Sequence, residues 1–169
     1  MKLKLVLPKG KMLPGILAAF KEAGIEVKQN GQNLRPECND LELEIKILKP
    51  QNIGKLIELG RHDLGITGYD WMIETSSKTE ELLDLKLYKG MVVAAVPKTN
   101  KKTIENFFSE TVTVASEFEK IAKDYLDSEG FNYLFIRSYG ATEGFPPEDA
   151  DIIIDNTFSG KTLEETRVA

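Results

Sequence analysis

The stretch "IIIDNTFSGKTLEE", residues 152–165, carries three isoleucines into an aspartate, then a short polar loop, then residues that favour a helix. A strand that hands over to a helix through a short loop is the building unit of an α/β layer. The loop itself, Thr157-Phe158-Ser159-Gly160-Lys161-Thr162, combines hydroxyls, one glycine and one lysine. Backbone N–H groups at a helix N-terminus favour anions, and Gly160 would let a phosphate oxygen approach the backbone closely. Thr157, Ser159 and Thr162 can each donate a hydroxyl hydrogen bond, and Lys161 adds a positive charge. Asp155 at the strand end suits ribose hydroxyls or a share in holding a metal ion. A plainer reading stays open at this point: Ser159 or Thr162 caps a helix and Gly160 serves the turn.

Working outward, residues 2–7 alternate as a strand that Pro8 and Gly10 stop, and Met12–Ala23 repeats apolar residues at helical spacing before a capping Gly24. "IEVKQ" reads as a short strand and "LELEIKIL" (41–48) as a stronger one. Ile53–Leu59 is predicted to be a helix closed by Gly60, and "DLGITG" a short strand ending in a loop. The apolar run "GMVVAAV" (90–96) predicts a strand covered on both faces. "PKTNKK" (97–102) is the expected boundary between a first lobe, 1–96, and a second, 97–169. "TVTVAS", a helix over 117–128, "FNYLFIR" and "ADIIID" complete the second. The pattern predicts an α/β fold in two lobes with a small-ligand cleft between them.

Bulk properties narrow the function. The chain has 169 residues, 41% hydrophobic and 29% charged, with a net charge of −5. That balance argues against nucleic-acid and anionic-membrane partners. One cysteine, Cys38, excludes an intramolecular disulfide and Cys-rich metal sites. His62 is the single histidine; it is placed at a surface corner. No secretory leader or membrane span is evident, so the cytoplasm is the expected compartment.

Two further stretches follow strands. In "PKGK" (8–11), Lys9, Gly10 and Lys11 could hold a second anionic group, or the lysines could be merely solvated. In "DLGITGYDW" (63–71), Gly65 and Gly68 would permit close approach of a flat ligand, and Asp70 could accept from an amino group or ribose. The alternative is a tight turn with positive φ at Gly68 and Asp70 capping the next helix; both can hold together. Tyr69 and Trp71 read as packing residues, and "KTEELLD" (78–84) as a solvated helix face.

Taken in order, "LPKGK", "ELGRHDLGITGYDWMIE" and "GATEGFPPEDADIIIDNTFSGKTL" resemble the ATP phosphoribosyltransferases that open histidine biosynthesis, a glycosyltransferase family. The resemblance runs over nearly the whole chain. It implies a two-lobed, type II periplasmic-binding-protein-like fold. It also implies a reaction in which N1 of ATP takes the phosphoribosyl group from phosphoribosyl pyrophosphate, releasing pyrophosphate. By position it assigns Asp155, Thr157, Ser159, Gly160, Lys161 and Thr162 to the 5-phosphate and ribose, with Glu143 near the ribose; Glu143 and Asp155 are the implied catalytic pair. Lys9, Gly10, Lys11, Thr67, Gly68 and Asp70 would meet nucleotide and pyrophosphate, and Arg35 and Lys49 are basic residues implied for pyrophosphate. Mg²⁺ is expected to arrive bound to pyrophosphate, without a metal site of the chain's own.

The chain departs from the family where arginine and Asp-Ile-Pro are usual and Lys49-Pro-Gln-Asn-Ile-Gly stands instead, which loses bidentate phosphate geometry. The family also has a last strand and helices that return to the first lobe, and the sequence, ending at Ala169, is expected to lack them. A homodimer or higher oligomer is implied, with a regulatory subunit resembling a histidyl-tRNA synthetase. Adenine N1 carries a lone pair and no proton, so positioning and electrostatics suffice and a histidine base is dispensable. The competing reading is a non-catalytic cytoplasmic sensor domain of the same two-lobed fold.

Overall fold

The computed structural model describes residues 2–31, 33–97 and 104–157. The chain divides into two compact units, Met1–Tyr88 and Lys89–Ala169.

The first unit contains β1 (Leu3–Pro8), α1 (Leu13–Glu22), β2 (Val27–Lys28), β3 (Glu37–Cys38), β4 (Leu43–Leu48), α2 (Ile53–Glu58), β5 (Leu64–Gly65) and α3 (Tyr69–Thr75). Its three-stranded sheet has the order β4-β1-β5 with both pairings parallel. Leu5, Leu7, Ile45 and Ile47 bury one face with Leu13 and Ile16 of α1. Across the sheet, Val6 and Ile53 of α2 are also buried. A Cβ on Gly65 would stand 2.6 Å from Ile53 Cγ2, so a side chain there would push α2 off the sheet. Gly24 and Gly60, at φ 81° and 62°, end α1 and α2 as the spacing predicts. In each case the two N–H groups after the helix turn back onto its last carbonyls, Gly24 to Lys21 and Ile25 to Phe20, Gly60 to Ile57 and Arg61 to Leu56.

The second unit contains β6 (Met91–Ala95), α4 (Ile104–Ser109), β7 (Thr111–Ser116), α5 (Glu119–Glu129), β8 (Asn132–Arg137) and β9 (Ile152–Thr157). The sheet order is β6-β9-β7-β8, with β9, β7 and β8 parallel and β6 antiparallel to β9. Pleat alternation divides the core. Val112, Val114, Ile152 and Ile154 pack with Phe107, Ala122 and Leu126 on one face. Ala95, Ala115, Ala150 and Ile153 fill the other.

The structure corrects several expectations. The division falls at 88/89 and not 96/97, because β6 pairs with β9 and so joins the second unit. β6 is an edge strand and not one covered on both faces; Met91 and Ala94 are exposed. "KTEELLD" is not a helix: residues 78–90 have no regular structure, with Leu82 and Leu83 71% and 74% exposed. A short helix depends on burying an apolar face, and this segment has no such face packed. "IEVKQ" contributes two strand residues, and neither its partner β3 nor α4 was anticipated. Trp71 is buried as expected, but Tyr69 is 70% exposed.

Candidate functional site

Parallel strands end together, so the loops after them gather at one edge. β1 and β4 run in register to Pro8 and Leu48, and β5 joins β1 at Leu5 and Val6. Lys9 and Lys11 follow β1, Lys49 follows β4, and Thr67 and Gly68 follow β5. All three lysines are exposed. The Lys9 N–H donates to the Leu48 carbonyl at 2.7 Å, tying the first loop to the second strand. Thr67 Oγ1 donates to the Pro50 carbonyl at 3.2 Å, tying the third loop to the second. Tyr88 Oη donates to the Lys11 carbonyl at 3.0 Å and lies over Gly15. The sequence-chosen residues Lys9, Gly10, Lys11, Lys49, Thr67 and Gly68 thus share the carboxyl edge of one sheet.

Asp70 sits in the first turn of α3, and Gly68 is the residue at the cap. The expected cap by Asp70 is therefore not made; its Oδ1 accepts from the next N–H, that of Trp71, at 2.8 Å. Gly68 has φ −73°, not the positive value expected of a tight turn. A Cβ there would stand 2.2 Å from Asp70 Oδ1, the end of a flexible side chain that would have to turn aside.

The Leu34 carbonyl accepts from the Ile47 N–H at 2.9 Å, one residue before the end of β4, so the Arg35 backbone lies close to this edge, but its side chain is turned back along the strand. Its guanidinium pairs with Glu44 at 3.1 Å, both side chains being largely exposed. Glu44 lies four residues before the end of β4, about 13 Å short of the carboxyl edge at ~3.3 Å per residue. His62 is only partly exposed, and its Nδ1 is buried without a hydrogen-bond partner. Burial, reinforced by Lys46, holds its pKa below the usual 6.5.

The second unit gathers carboxylates at the corresponding edge. Asp155 lies on β9 and Glu143 on a one-turn 3-10 helix, Thr142–Gly144. The buried Ser116 Oγ donates to the Ile154 carbonyl at 2.5 Å and accepts from the Phe118 N–H at 2.9 Å, fixing how the chain leaves β7. The buried Ser138 and Thr142 hydroxyls bond each other at 2.7 Å and anchor the loop that carries Glu143. Burial raises the Asp155 carboxyl above the ordinary 3.8; the charges of Glu117 and Glu143 raise it further, against hydrogen bonds from the Asn156 N–H and the Thr142 hydroxyl. Glu117 was not among the sequence-chosen residues, although it stands directly after a predicted strand. Thr157 closes β9 and pairs with Met91. Ser159, Gly160, Lys161 and Thr162 lie outside the described residues. Among the described residues, no three His, Cys, Asp or Glu side chains form a group that could hold a metal ion, and no helix is long and apolar enough to cross a membrane.

Parallel α/β sheets whose loops present lysines, hydroxyls and carboxylates beyond the strand ends define a class of proteins that bind small polar ligands there. Comparison with known sequences makes the class specific. The sequence model of the ATP phosphoribosyltransferase family matches residues 49–169. An ATP phosphoribosyltransferase of Chlorobium luteolum is 35% identical over 172 residues, covering 98% of this chain. One of Pelotomaculum thermopropionicum is 32% identical over 170 residues, covering 97%. The chain belongs to the ATP phosphoribosyltransferase family. It spans 58% of the length of each of these two relatives. In fold it resembles a chain of the ATP phosphoribosyl transferase (HisG:HisZ) complex from Thermotoga maritima, with a TM-score of 0.81 at 22% identity, over 99% of this chain and 80% of that one.

Proposed function

We propose that the chain carries out the transfer named for its family: N1 of ATP bonds to C1′ of phosphoribosyl pyrophosphate as the bond from C1′ to pyrophosphate breaks. The electron pair of the breaking bond leaves with pyrophosphate, which travels as its Mg²⁺ complex, the metal being part of the substrate. The observation that carries the proposal is the family match over residues 49–169, which takes in Lys49, the Thr67–Asp70 loop, Glu143 and all of β9.

Within this reading each unit has its own task. The first-unit lysines and the Thr67–Asp70 loop hold nucleotide and pyrophosphate. Glu143 and Asp155 address the ribose, whose C1′ gains positive charge as the leaving group departs. Thr157 and the residues after it, Ser159 to Thr162, take the 5-phosphate. Adenine N1 has no proton to lose, so the site needs placed charges and donors and no general base. Arg35, engaged with Glu44, has no part in this assignment. A cytoplasmic location, self-association and a separate regulatory subunit resembling a histidyl-tRNA synthetase belong to the same proposal; the named two-component complex of Thermotoga maritima supports the last of these.

The test is turnover by the chain with ATP, phosphoribosyl pyrophosphate and Mg²⁺. Pyrophosphate should be released in step with an N1-phosphoribosylated nucleotide identified by mass spectrometry. Thermal stabilisation by free amino acids, with no stabilisation by phosphoribosyl pyrophosphate and no turnover, would replace this reading with a ligand sensor.

A further inference from the structure

Among the described residues, Glu117 is a carboxylate at the second unit's carboxyl edge for which neither the motifs nor the fold supplies a role. The last registered pair between β7 and β9 is Ser116 with Ile154, so Glu117 and Asp155 each stand one residue beyond it. Neighbouring strands lie about 4.8 Å apart, and side chains in parallel register share a face. The Ser116 hydroxyl bridges the two strands at this point and fixes the direction in which Glu117 departs. From the far side, a Cβ on Gly140 would stand 3.9 Å from Glu117 Oε1, so the loop between β8 and the 3-10 turn packs beside the same carboxylate.

Glu117, Glu143 and Asp155 are all partly buried. Among the described residues none of them forms an ion pair with lysine or arginine. Elsewhere in the same unit acids do find cations: Glu119 meets Lys123 and Arg137, and Asp124 meets Lys120. Like charges partly withdrawn from water repel one another, and a cationic partner would relieve that repulsion. The arrangement favours a positive charge that appears beside Asp155.

We infer that Glu117 is a positioning residue for the proposed phosphoribosyl transfer, acting through Asp155 to set the negative field in which the ribosyl carbon becomes cationic. This rests on the functional reading above and adds to it a residue that the reading did not include. The field is in place before the substrate arrives, so it favours the charged transition state over the neutral sugar. Besides Glu117, the groups acting on Asp155 are the carboxylate of Glu143, the hydroxyl of Thr142 and the N–H of Asn156. The last two hold the carboxylate in place while the two acids oppose its charge.

Glu117→Gln in the full chain separates this role from a structural one. Removing one negative charge should lower the Asp155 titration midpoint, followed by carboxyl NMR, toward the ordinary value. The kcat should fall by about tenfold while KM for phosphoribosyl pyrophosphate stays within about twofold, the pattern of an interaction made only in the transition state. Stability at neutral pH should be equal or higher, since a repulsion is gone, and Glu117→Asp should recover part of the lost kcat. An unshifted Asp155 midpoint, an unchanged kcat, or a Glu117→Gln chain less stable than the native one would overturn the inference. A native chain without turnover would instead defeat the functional reading, and the Asp155 titration would still decide whether Glu117 acts on it.

Discussion

Among the described residues, the carboxyl edges of the two units differ: exposed lysines follow β1 and β4 in the first, while partly buried carboxylates stand at β7 and β9 in the second, where Arg137 closes β8. In the first unit, β1, β4 and β5 end in loops carrying Lys9, Lys11 and Lys49, all exposed. In the second, Glu117 directly follows β7, Asp155 lies two residues before the end of β9, and Glu143 stands on the 3-10 turn, all partly buried. Exposed lysines keep their hydration, so their charges cost the fold little and are screened by salt over about 10 Å. Partly buried carboxylates give up some hydration and repel each other, so the fold bears a cost that ligand binding can return. The first edge is therefore suited to attracting anions, whereas the Glu117–Asp155 part of the second is suited to an electron-poor partner.

That contrast can be broken most sharply at Asp155. Asp155→Asn should lower kcat by about a hundredfold or more, a loss of ~2.7 kcal/mol in transition-state stabilisation, measured in the pyrophosphate-release assay. Its effect on stability should run the other way. Burial, then Glu117 and Glu143, raise the Asp155 carboxyl above 3.8, so the folded protein binds its proton more tightly than the unfolded chain does. That contribution is complete below 3.8 and is lost as pH rises through the folded value. The asparagine variant should hence be at least as stable as the native chain at neutral pH in denaturant titrations. A marked loss of stability there would mean that Asp155 supports the fold.

The lysine edge should respond more weakly and more dependently on salt. Lys49→Ala should reduce affinity for phosphoribosyl pyrophosphate by about tenfold, or 1.4 kcal/mol, with little change in melting temperature. Isothermal titration at two ionic strengths should show the deficit shrinking as salt rises. Lys49→Arg sharpens the comparison, since a guanidinium offers phosphate two parallel donors where an ammonium offers a point charge.

Two further residues should matter less. His62 has its pKa held below 6.5 by burial and by Lys46, so the folded state prefers it neutral. The associated stability is present above 6.5 and lost as pH falls from there through the folded value. Denaturant midpoints measured across that window should decline with acid in the native chain and decline less in His62→Gln. The smallest effect is expected of Arg35→Ala. An exposed ion pair such as Arg35–Glu44 contributes about 0.2–1 kcal/mol, and substrate affinity should not change. A tenfold loss of affinity for phosphoribosyl pyrophosphate would put Arg35 back among the pyrophosphate-binding residues.

Much of this was legible in the residues because it depends on local periodicity. The alternation of residues 2–7 and 41–48 and the helical repeat from Leu13 to Phe20 appear as β1, β4 and α1. Gly24 and Gly60 stand where the helices end, since a left-handed turn after a helix falls most readily to glycine. Lys9 and Asp155 stand out because strand ends and the loops after them are where parallel sheets present their chemistry, whereas the roles given to Lys49 and Thr67 come from the family resemblance. The run at 90–96 misled because apolar composition cannot distinguish an edge strand from a central one; pairing with β9 decided that and moved the unit boundary with it.

By itself, then, the sequence determined the α/β class, most of the strand and helix positions and the family to which the chain belongs. Tertiary structure alone decided that Glu117 stands beside Asp155 and that Arg35 is drawn to Glu44. The reason is physical. Periodicity is set by neighbours three or four residues away, whereas a partly buried charge is set by residues such as Glu117 and Asp155, 38 positions apart in the chain and each one residue beyond the last β7–β9 pair.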